Sequence, residues 1–345
     1  MMDITNKNEK AKRKRSYKTI IFCIIFEMVF TLISAPLILF YGPFQHAKKI
    51  AVGTINITMH RKYLKYIYSQ KQIDEILGNG KSSSEKMLLA SKTTDEKQNL
   101  DDVKVPTKHD DTIIRYNVSG TKFDGYMLEV KDATRVKVGY TNKLNVEGER
   151  TSQIAEDHNA IAAINGGGFL DETPDGKWIG TGAYPMGLLM SGGKLINGDE
   201  NEYADVMGLT EKGQLIVGQY NAKKLKNLGV TEAIAFGPAI IINGKPQIYG
   251  EGSLGVNPRT AIGQKKDGTI LLLVIDGRQL DGTSGLKIGA TMGDVQKTLL
   301  DHGAWNATNL DGGSSSTMYY EGEVINNPCD WSGERSVSSA IYVEP

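Results

Sequence analysis

Cysteine is scarce in this chain of 345 residues, which contains only Cys23 and Cys329. Cys23 lies within a long apolar run and Cys329 lies near the C-terminus, so we expect the two thiols in different compartments and no disulfide between them. A domain outside the cytoplasm must then be stabilised by core packing. Hydrophobic residues make up 40% of the chain, which suffices for such a core and excludes wholesale disorder.

Signatures of several common chemistries are also missing. The five histidines are scattered without the spacing of a zinc site, and neither histidine nor a second cysteine lies near Cys329. There is no Gly-x-Ser-x-Gly elbow of a serine esterase and no Walker loop of a nucleotidase. The formal net charge is zero, and the basic excess falls in the first eighteen residues. The mildly acidic remainder does not predict nucleic-acid binding.

An apolar run at residues 19–41 follows a basic N-terminal tail at residues 1–18. A helix needs about 20 apolar residues to cross a bilayer, so the run is long enough for a transmembrane signal anchor. Basic residues before such a helix favour a cytoplasmic N-terminus. The sequence therefore predicts a single-pass protein of the cell membrane, with its C-terminal domain extracytoplasmic. A cleaved signal peptide is the alternative, although its apolar region is typically about 7–15 residues long.

Residues 45–105 are expected to separate the membrane from the main domain. Apolar residues near helical spacing predict an amphipathic helix from Met59 to Leu77, ended by Gly78. The stretch from Asn79 to Lys108 is rich in charged and hydroxyl residues and predicts a solvated linker. We expect the domain of residues 106–345 to begin near Pro106.

From Thr112 onward, short β-like runs alternate with glycine turns, which predicts a substantial sheet. The predicted strands are Thr112 to Val118, Tyr126 to Val130, Arg135 to Tyr140, Ile161 to Ile164, Met186 to Met190, Ala239 to Ile242, Thr269 to Ile275, Ser316 to Tyr320 and Ala340 to Val343. Hairpin turns are predicted at residues 191–194, 211–213, 243–244 and 266–268. Two helices are predicted, Thr151 to Asn159 and Thr291 to His302, the second with an approximate capping box. Strands outnumber helices but both recur, so the fold class is α+β, a β-rich mixed domain with a few helices.

Polar residues with the chemistry of an anion or sugar site cluster at the ends of predicted strands. The segments are Asn165-Gly166-Gly167-Gly168-Phe169, Asn257-Pro258-Arg259-Thr260-Ala261, Asp276-Gly277-Arg278, Asn309-Leu310-Asp311-Gly312-Gly313-Ser314-Ser315-Ser316-Thr317-Met318 and Gly333-Glu334-Arg335. Arginine offers a planar fork to phosphate oxygens, and consecutive glycines before hydroxyl residues can form an anion-binding nest of backbone N–H groups. Each segment alone is also compatible with an ordinary turn or a surface salt bridge.

Taken together and in this order, the five segments resemble the phosphodiester glycosidase domain family over roughly Thr112 to Pro345. Two positions depart from the family pattern: Ser314 stands where a third glycine is common, and Ser336 where a proline is common. Both are small residues, so we expect an altered loop around a retained pocket. The resemblance implies an α+β fold and places the matched Asn, Arg and Asp side chains around a common pocket.

The resemblance implies hydrolysis of a glycosyl-1-phosphodiester, and the residues are assigned to this chemistry as a hypothesis. Catalytic roles are predicted for Asp311, Asp276 and Arg259. Substrate binding is predicted for Asn165, Gly166, Gly167, Thr260, Arg278, Gly312, Gly313, Ser314, Ser315 and Arg335. Either aspartate activates water or stabilises an oxocarbenium-like sugar, and arginine neutralises the phosphate. The expected partners are a phosphorylated glycan and the membrane.

No cofactor is predicted, and a divalent cation held by the aspartates stays an alternative. The expected substrate carries an N-acetylglucosamine-like sugar in an envelope or exopolysaccharide glycan. The alternative function is non-catalytic: a membrane-tethered module that binds anionic polysaccharide during export or assembly, because the same anion clamp serves both.

Overall fold

The computed structural model describes residues 2–56, 61–77, 98–171, 180–252, 254–281 and 285–345. The chain divides into two compact units, Met1–Ala51 and Val52–Pro345. Within the described residues, seven α-helices form: α1 (Met2–Tyr41), α2 (Gln45–Asn56), α3 (Arg61–Leu64), α4 (Gln70–Ile76), α5 (Thr151–Asp157), α6 (Ala222–Asn227) and α7 (Met292–Asp301). The part of α1 from Tyr17 to Tyr41 spans 25 residues with a mean hydropathy of 2.3. By length and composition, this helix is apolar enough to cross a membrane.

Among the described residues, twenty-one short strands dominate the second unit. They are β1 (Ile113–Ser119), β2 (Asp124–Val130), β3 (Val136–Tyr140), β4 (Glu149–Arg150), β5 (Ala162–Asn165), β6 (Leu189–Ser191), β7 (Lys194–Asn197), β8 (Ala204–Thr210), β9 (Leu215–Tyr220), β10 (Val230–Ala235), β11 (Ala239–Ile242), β12 (Lys245–Pro246), β13 (Arg259–Lys265), β14 (Ile270–Ile275), β15 (Gln279–Asp281), β16 (Gly285–Lys287), β17 (Ala304–Asn309), β18 (Met318–Tyr320), β19 (Glu323–Val324), β20 (Ser336–Val337) and β21 (Ser339–Val343). Three larger sheets have the orders β1-β2-β14-β13-β17-β11-β12, β7-β6-β10-β8-β9 and β19-β18-β5-β21-β3. The α+β, β-rich fold class predicted from the sequence is confirmed.

The main hydrophobic core lies between the three sheets. Strand β14 illustrates the packing, because its side chains alternate between this core and a second apolar cluster. Leu272 and Val274 pack into this shared core, whereas Leu271 and Leu273 point to the opposite face and pack with helix α7. Successive side chains of a strand alternate between faces. Because both faces of β14 are covered, its sequence is a continuous apolar run instead of an alternating one.

Several local predictions match the structure closely. The predicted turns at 191–194, 211–213, 243–244 and 266–268 connect β6 to β7, β8 to β9, β11 to β12 and β13 to β14. Helix α7 has the predicted capping box: Asp294 N donates to Thr291 Oγ1 at 3.0 Å, and Thr291 N donates to Asp294 Oδ2 at 2.9 Å. Local turn and cap chemistry is decided by a few neighbouring residues, which is why it could be predicted.

The amphipathic helix predicted from Met59 to Leu77 is divided in the structure. Residues 57–60 lie outside the described part of the chain, and α3 ends at Leu64. Ser69 then begins a new helix, since its hydroxyl accepts a hydrogen bond from Gln72 N and the Gln72 side chain accepts one from Ser69 N at 2.9 Å. A capping box fixes a helix start, so Ser69 interrupts the predicted helix.

The main domain begins earlier than the predicted position near Pro106. Most of the predicted linker, residues 78–97, lies outside the described residues. From Gln98 onward the chain is bound to the sheets: Gln98 Oε1 accepts from Val217 N at 2.9 Å, and Lys104 N donates to Lys266 O at 2.8 Å. Val103 is buried. These contacts could not be recognised from a polar composition, because the Gln98 side chain and the Lys104 N–H bond to backbone groups far away in sequence.

Candidate functional site

The loop at residues 310–317, which follows β17, connects the ends of strands from two sheets. Leu310 N donates to Thr260 O at 2.9 Å, at the start of β13. Asp311 N donates to Gly166 O at 3.1 Å, just past the end of β5. Gly313 N donates to Pro258 O at 2.9 Å. The predicted segments are therefore brought together around this loop, although they are far apart in sequence.

Asn165 is hydrogen-bonded to the 310–317 loop from the buried interior. Its Nδ2 donates to Asp311 O at 2.6 Å, and its Oδ1 accepts from Thr260 Oγ1 at 2.7 Å and from Thr317 N at 3.1 Å. Asn165 and Thr260 are fully buried. Their polar groups bond to protein, and buried groups of this kind stabilise a loop conformation. Both predicted binding residues thus shape the site from beneath its surface.

The glycines of the site are needed for close approach and for backbone conformation. A Cβ on Gly167 would lie 2.3 Å from Ile234 Cγ2, and one on Gly312 would lie 2.8 Å from Pro258 O. Gly313 has a φ of +66°, in the left-handed region that favours glycine. Gly166 N and Gly167 N donate to Ser339, to its backbone oxygen at 2.9 Å and its hydroxyl at 3.1 Å. These glycines are packing residues in this structure.

The predicted anion nest at Gly312 and Gly313 does not form. The Gly313 N–H donates to Pro258 O, and the Gly312 N–H lies against the Asp311 carboxylate, whose pKa it lowers. Ser315 N and Ser316 N donate within the loop, to Gly312 O and Gly313 O, each at 3.3 Å. A nest requires N–H groups that point outward to an anion. Here these N–H groups donate to other acceptors in the protein instead.

Asp311 lies on the partly exposed side of the loop and has an unusual protonation equilibrium. Burial raises its pKa to about 6, against the opposing effects of the Ser315 hydroxyl and the Arg335 charge. The Asp171 carboxylate raises the pKa further. Perturbed carboxyl groups of this kind are frequent at functional sites.

Arg335 binds the same loop from its other flank. Its Nη1 donates to Ser314 Oγ at 3.3 Å, and its Nη2 forms an ion pair with Asp171 Oδ1. The guanidinium carbon lies 4.7 Å from the centre of the Phe169 ring, a cation–π contact. Asp171 was not predicted as a site residue. Its position two residues after the predicted Asn165–Phe169 segment was the available signal.

Arg278 lies near the same loop, at Gly313. Its Nη2 is 3.6 Å from the position of a Cβ at Gly313 and donates to Asn257 Oδ1 at 2.6 Å. Arg278 is exposed, has a φ of +59°, and contacts the Cys329 thiol, whose pKa burial raises. A non-glycine residue in the left-handed region stores backbone strain, which often marks a functional position. Asn257 and Cys329 were not predicted to have roles.

Arg259 is buried and contacts backbone carbonyls. Its Nε donates to Ala290 O at 3.1 Å, and its Nη2 donates to Leu254 O at 3.0 Å and Gly255 O at 2.7 Å. Burial lowers its pKa to about 10, and the Arg278 charge lowers it further. The guanidinium that the sequence assigned to phosphate thus ties together the loops on either side of the site.

Asp276 accepts hydrogen bonds from the segment after β19. Asn326 Nδ2 donates to Asp276 Oδ1 at 2.8 Å, and Asn327 N donates to Oδ2 at 3.1 Å. Asn326 also donates to Ser316 O at 3.1 Å, so Asp276 is linked to the 310–317 loop through one side chain. Burial raises the pKa of Asp276 to about 6.

A metal site requires several side chains that can bind an ion and that lie close together. Within the described residues, no group of three or more His, Cys, Asp or Glu side chains lies close enough together to hold a metal ion.

The phosphodiester glycosidase family matches residues 158–344, which is more than half of the chain. The chain therefore belongs to the phosphodiester glycosidase family, as the five segments indicated. It is similar to an uncharacterised SPbeta prophage-derived protein, YomE, of Bacillus subtilis, with 32% identity over 222 residues that cover 61% of this chain and 31% of that protein. It is also similar to the N-acetylglucosamine-1-phosphodiester alpha-N-acetylglucosaminidase of Bos taurus, with 26% identity over 55% of this chain and 38% of that protein. The chain spans about a third of the length of these relatives.

Solved structures share the fold. The catalytic domain of zebrafish N-acetylglucosamine-1-phosphodiester alpha-N-acetylglucosaminidase, auto-inhibited by its pro-peptide, matches with a TM-score of 0.55 and 20% identity. The match covers 70% of this chain and 86% of that one. A putative exported protein from Burkholderia pseudomallei matches with a TM-score of 0.50 and 17% identity, over 65% of this chain and 74% of that one.

Proposed function

We propose that this chain is a membrane-anchored hydrolase that acts outside the cytoplasm. It releases an N-acetylglucosamine-like sugar from a glycosyl-1-phosphodiester in an envelope or exopolysaccharide glycan. Family membership and the name of the bovine relative support the reaction class. The apolar helix Tyr17–Tyr41 and the basic residues before it support a cell-membrane anchor with a cytoplasmic N-terminus.

The single observation that carries the proposal is the pair of guanidinium groups at the 310–317 loop, which carries Asp311. Arg278 and Arg335 approach the loop at two neighbouring residues, Gly313 and Ser314. Two cations at one short loop match the two free oxygens of a phosphodiester, and arginine binds such oxygens in a planar, bidentate way. We assign the phosphate to Arg278 and Arg335.

Asp311 is the catalytic carboxylate in this proposal. In its ionised form it activates water or stabilises positive charge on the sugar ring. A pKa of about 6 makes it a stronger base than an ordinary aspartate while leaving it ionised at neutral pH. Phosphate is already a good leaving group, so strong acid assistance is unnecessary.

The other predicted catalytic residues receive positioning roles. Asp276 holds Asn326 and Asn327 and thereby the chain that leads to Arg335. Arg259 holds the carbonyl oxygens of the loop that carries Asn257 and hence Arg278. These contacts support a revised assignment in which both residues shape the site without touching the substrate.

The test is turnover by the full-length chain in detergent. The protein is incubated with the methyl phosphodiester of N-acetylglucosamine-1-phosphate and with analogues carrying other sugars, and free sugar is measured. We expect release by the wild type and a loss of about 10²–10⁴-fold in kcat for Asp311→Asn.

The matched control is Asp205→Asn. Asp205 is likewise a largely buried carboxyl group whose pKa burial raises to about 6, but it lies on β8. It should retain wild-type turnover. Tight binding of the diester by wild-type protein without release of sugar would contradict the hydrolase and support the polysaccharide-binding module.

A further inference from the structure

Trp331 is the most exposed large hydrophobic residue of the described chain, with 96% of its surface accessible. A single exposed apolar side chain is ordinary on a protein surface. The indole becomes informative through the segment that carries it, residues 326–335, because this segment contacts both arginines proposed to bind phosphate.

The turn that presents Trp331 is closed by several hydrogen bonds. Gly333 N donates to Asp330 O at 3.0 Å, and Gly333 has a φ of +88°. The Asp330 side chain accepts from Ser332 N at 3.1 Å and from the Ser332 hydroxyl at 2.8 Å. Asx-type turns of this kind restrict the backbone. The backbone that carries the indole is therefore restricted by a small, internally bonded turn.

Both ends of the turn are attached to the candidate site. Before it, Cys329 lies against the Arg278 guanidinium. After it, Glu334 accepts from Ser152 N at 3.1 Å, and Arg335 donates to Ser314 Oγ. The turn thus bridges the two flanks of the 310–317 loop, and Trp331 lies at its exposed tip.

We propose that Trp331 is a stacking platform for a pyranose ring on the alcohol side of the phosphodiester. This inference rests on the proposed function. Asp311 must face the anomeric carbon of the released sugar, and the two guanidinium groups bind the phosphate between them. The exposed indole, carried by the short segment between Cys329 and Arg335, is then available to the group esterified to the other phosphate oxygen.

A pyranose is the chemical class that fits an exposed indole. One face of the ring carries several C–H groups that are slightly positive, and the indole face is the negative part of an aromatic quadrupole. Indole and sugar both keep polar groups in contact with water at the edge of such a contact. The enzyme should consequently prefer a diester that joins two sugars over a diester of a small alcohol.

Kinetics with two substrates test the platform. The full-length chain is assayed on N-acetylglucosamine-1-phosphate esterified to a hexose and on the corresponding methyl ester. For Trp331→Ala we expect KM to rise about tenfold with the hexose ester and to change less than twofold with the methyl ester. Trp331→Phe should keep the KM for the hexose ester close to the wild-type value, since an aromatic face remains.

Tyr66→Ala is the matched control, because Tyr66 is 87% exposed and lies in the turn after α3. It should leave both KM values unchanged. An equal change in KM for both esters with Trp331→Ala, or no change for either, overturns the platform while leaving the hydrolase intact.

Fluorescence gives a readout that does not need turnover. The chain has three tryptophans, at positions 178, 305 and 331, so a variant with Trp178→Phe and Trp305→Phe reports on Trp331 alone. Titration with the hexose ester should shift its emission to shorter wavelength, and the methyl ester should not. An unshifted emission at saturating hexose ester overturns the inference. A shift in a protein that hydrolyses neither ester supports the platform and refutes the hydrolase.

Discussion

The side-chain amide of Asn165 donates a hydrogen bond of 2.6 Å to the backbone carbonyl oxygen of Asp311. Asn165 ends strand β5, whereas Asp311 follows β17 in a different sheet. The same side chain accepts from Thr260 and Thr317. One buried amide therefore joins two sheets at the point where the candidate catalytic carboxylate leaves the core.

Replacing Asn165 with alanine should destabilise the protein and impair the site. The change leaves the Thr260 hydroxyl and the Thr317 N–H buried without their present acceptor, which costs about 2–3 kcal/mol. We expect the melting temperature to fall by roughly 5–10 °C and activity to fall even well below the melting temperature. Scanning calorimetry and sugar release measure the two effects. Asn227→Ala, at the exposed end of α6, is the control and should change neither.

The pKa of Asp311 should respond in opposite directions to its two charged neighbours. Arg335 lowers this pKa and Asp171 raises it. If ionised Asp311 is the base, kcat/KM rises with pH and levels off above about pH 6. Asp171→Asn should shift the rising part of the kcat/KM profile (the acidic limb) to lower pH. Arg335→Met should shift this limb to higher pH, measured on the activity that the variant retains.

The pH dependence of kcat/KM checks both shifts. Lys297→Met removes a cation from an exposed ion pair on helix α7 and should leave the limb in place. Movement of the limb in one direction for both Asp171→Asn and Arg335→Met would show that Asp311 is not the titrating group.

The sequence predicted the members of the site better than their tasks. Arg278 and Arg335 lie beside the loop that carries Asp311, because strand ends bring such segments together in a β-rich fold. Asn165 and Arg259 were expected to touch substrate and instead hold backbone groups. Whether a polar side chain faces solvent or a buried carbonyl depends on tertiary packing, which no local pattern reports.

Two neighbouring strands show what an apolar pattern does and does not predict. Strand β14 is buried on both faces and was recognised from a continuous apolar run. Strand β13, its neighbour, begins with Arg259 and includes Gln264, both buried, and was not predicted. Gln264 is paired there, with its Nε2 donating to Gly213 O at 2.7 Å. Buried polar residues with tertiary partners are invisible to a hydropathy pattern.

Asp205 gives a stability prediction with a defined sign. Its folded-state pKa of about 6 exceeds the ordinary aspartate value of 3.8, because burial disfavours the charged form. The folded state therefore binds the proton more tightly, and the free energy of unfolding decreases as the pH rises from about 4 to 6. Asp205→Asn removes the buried charge, so it should raise the melting temperature at pH 7.5 and have a much smaller effect at pH 4. Asp301→Asn, on an exposed side chain, should show no such pH dependence.

Thr54 of helix α2 provides a link between the N-terminal part of the second unit and the candidate site. Its hydroxyl accepts from Val256 N at 3.2 Å and donates to Val256 O at 3.3 Å. The next residue, Asn257, accepts the hydrogen bond of Arg278, and Gly255 O accepts one from Arg259. The loop of residues 254–257, which contacts both arginines, is thus hydrogen-bonded to helix α2. From the sequence, this helix was expected only to separate the membrane from the main domain.

Thr54→Val should therefore raise KM for the phosphodiester several-fold with little change in kcat, because the proposed function assigns the phosphate to Arg278 and the chemistry to Asp311. Thr54→Ser keeps the hydroxyl and should restore the wild-type KM, which separates the hydrogen bond from packing of the methyl group. Steady-state kinetics on the full-length protein measure both. An unchanged KM in Thr54→Val would show that the loop holds Arg278 without α2. A fall in kcat alone would show that α2 acts on Asp311 instead of on the phosphate clamp.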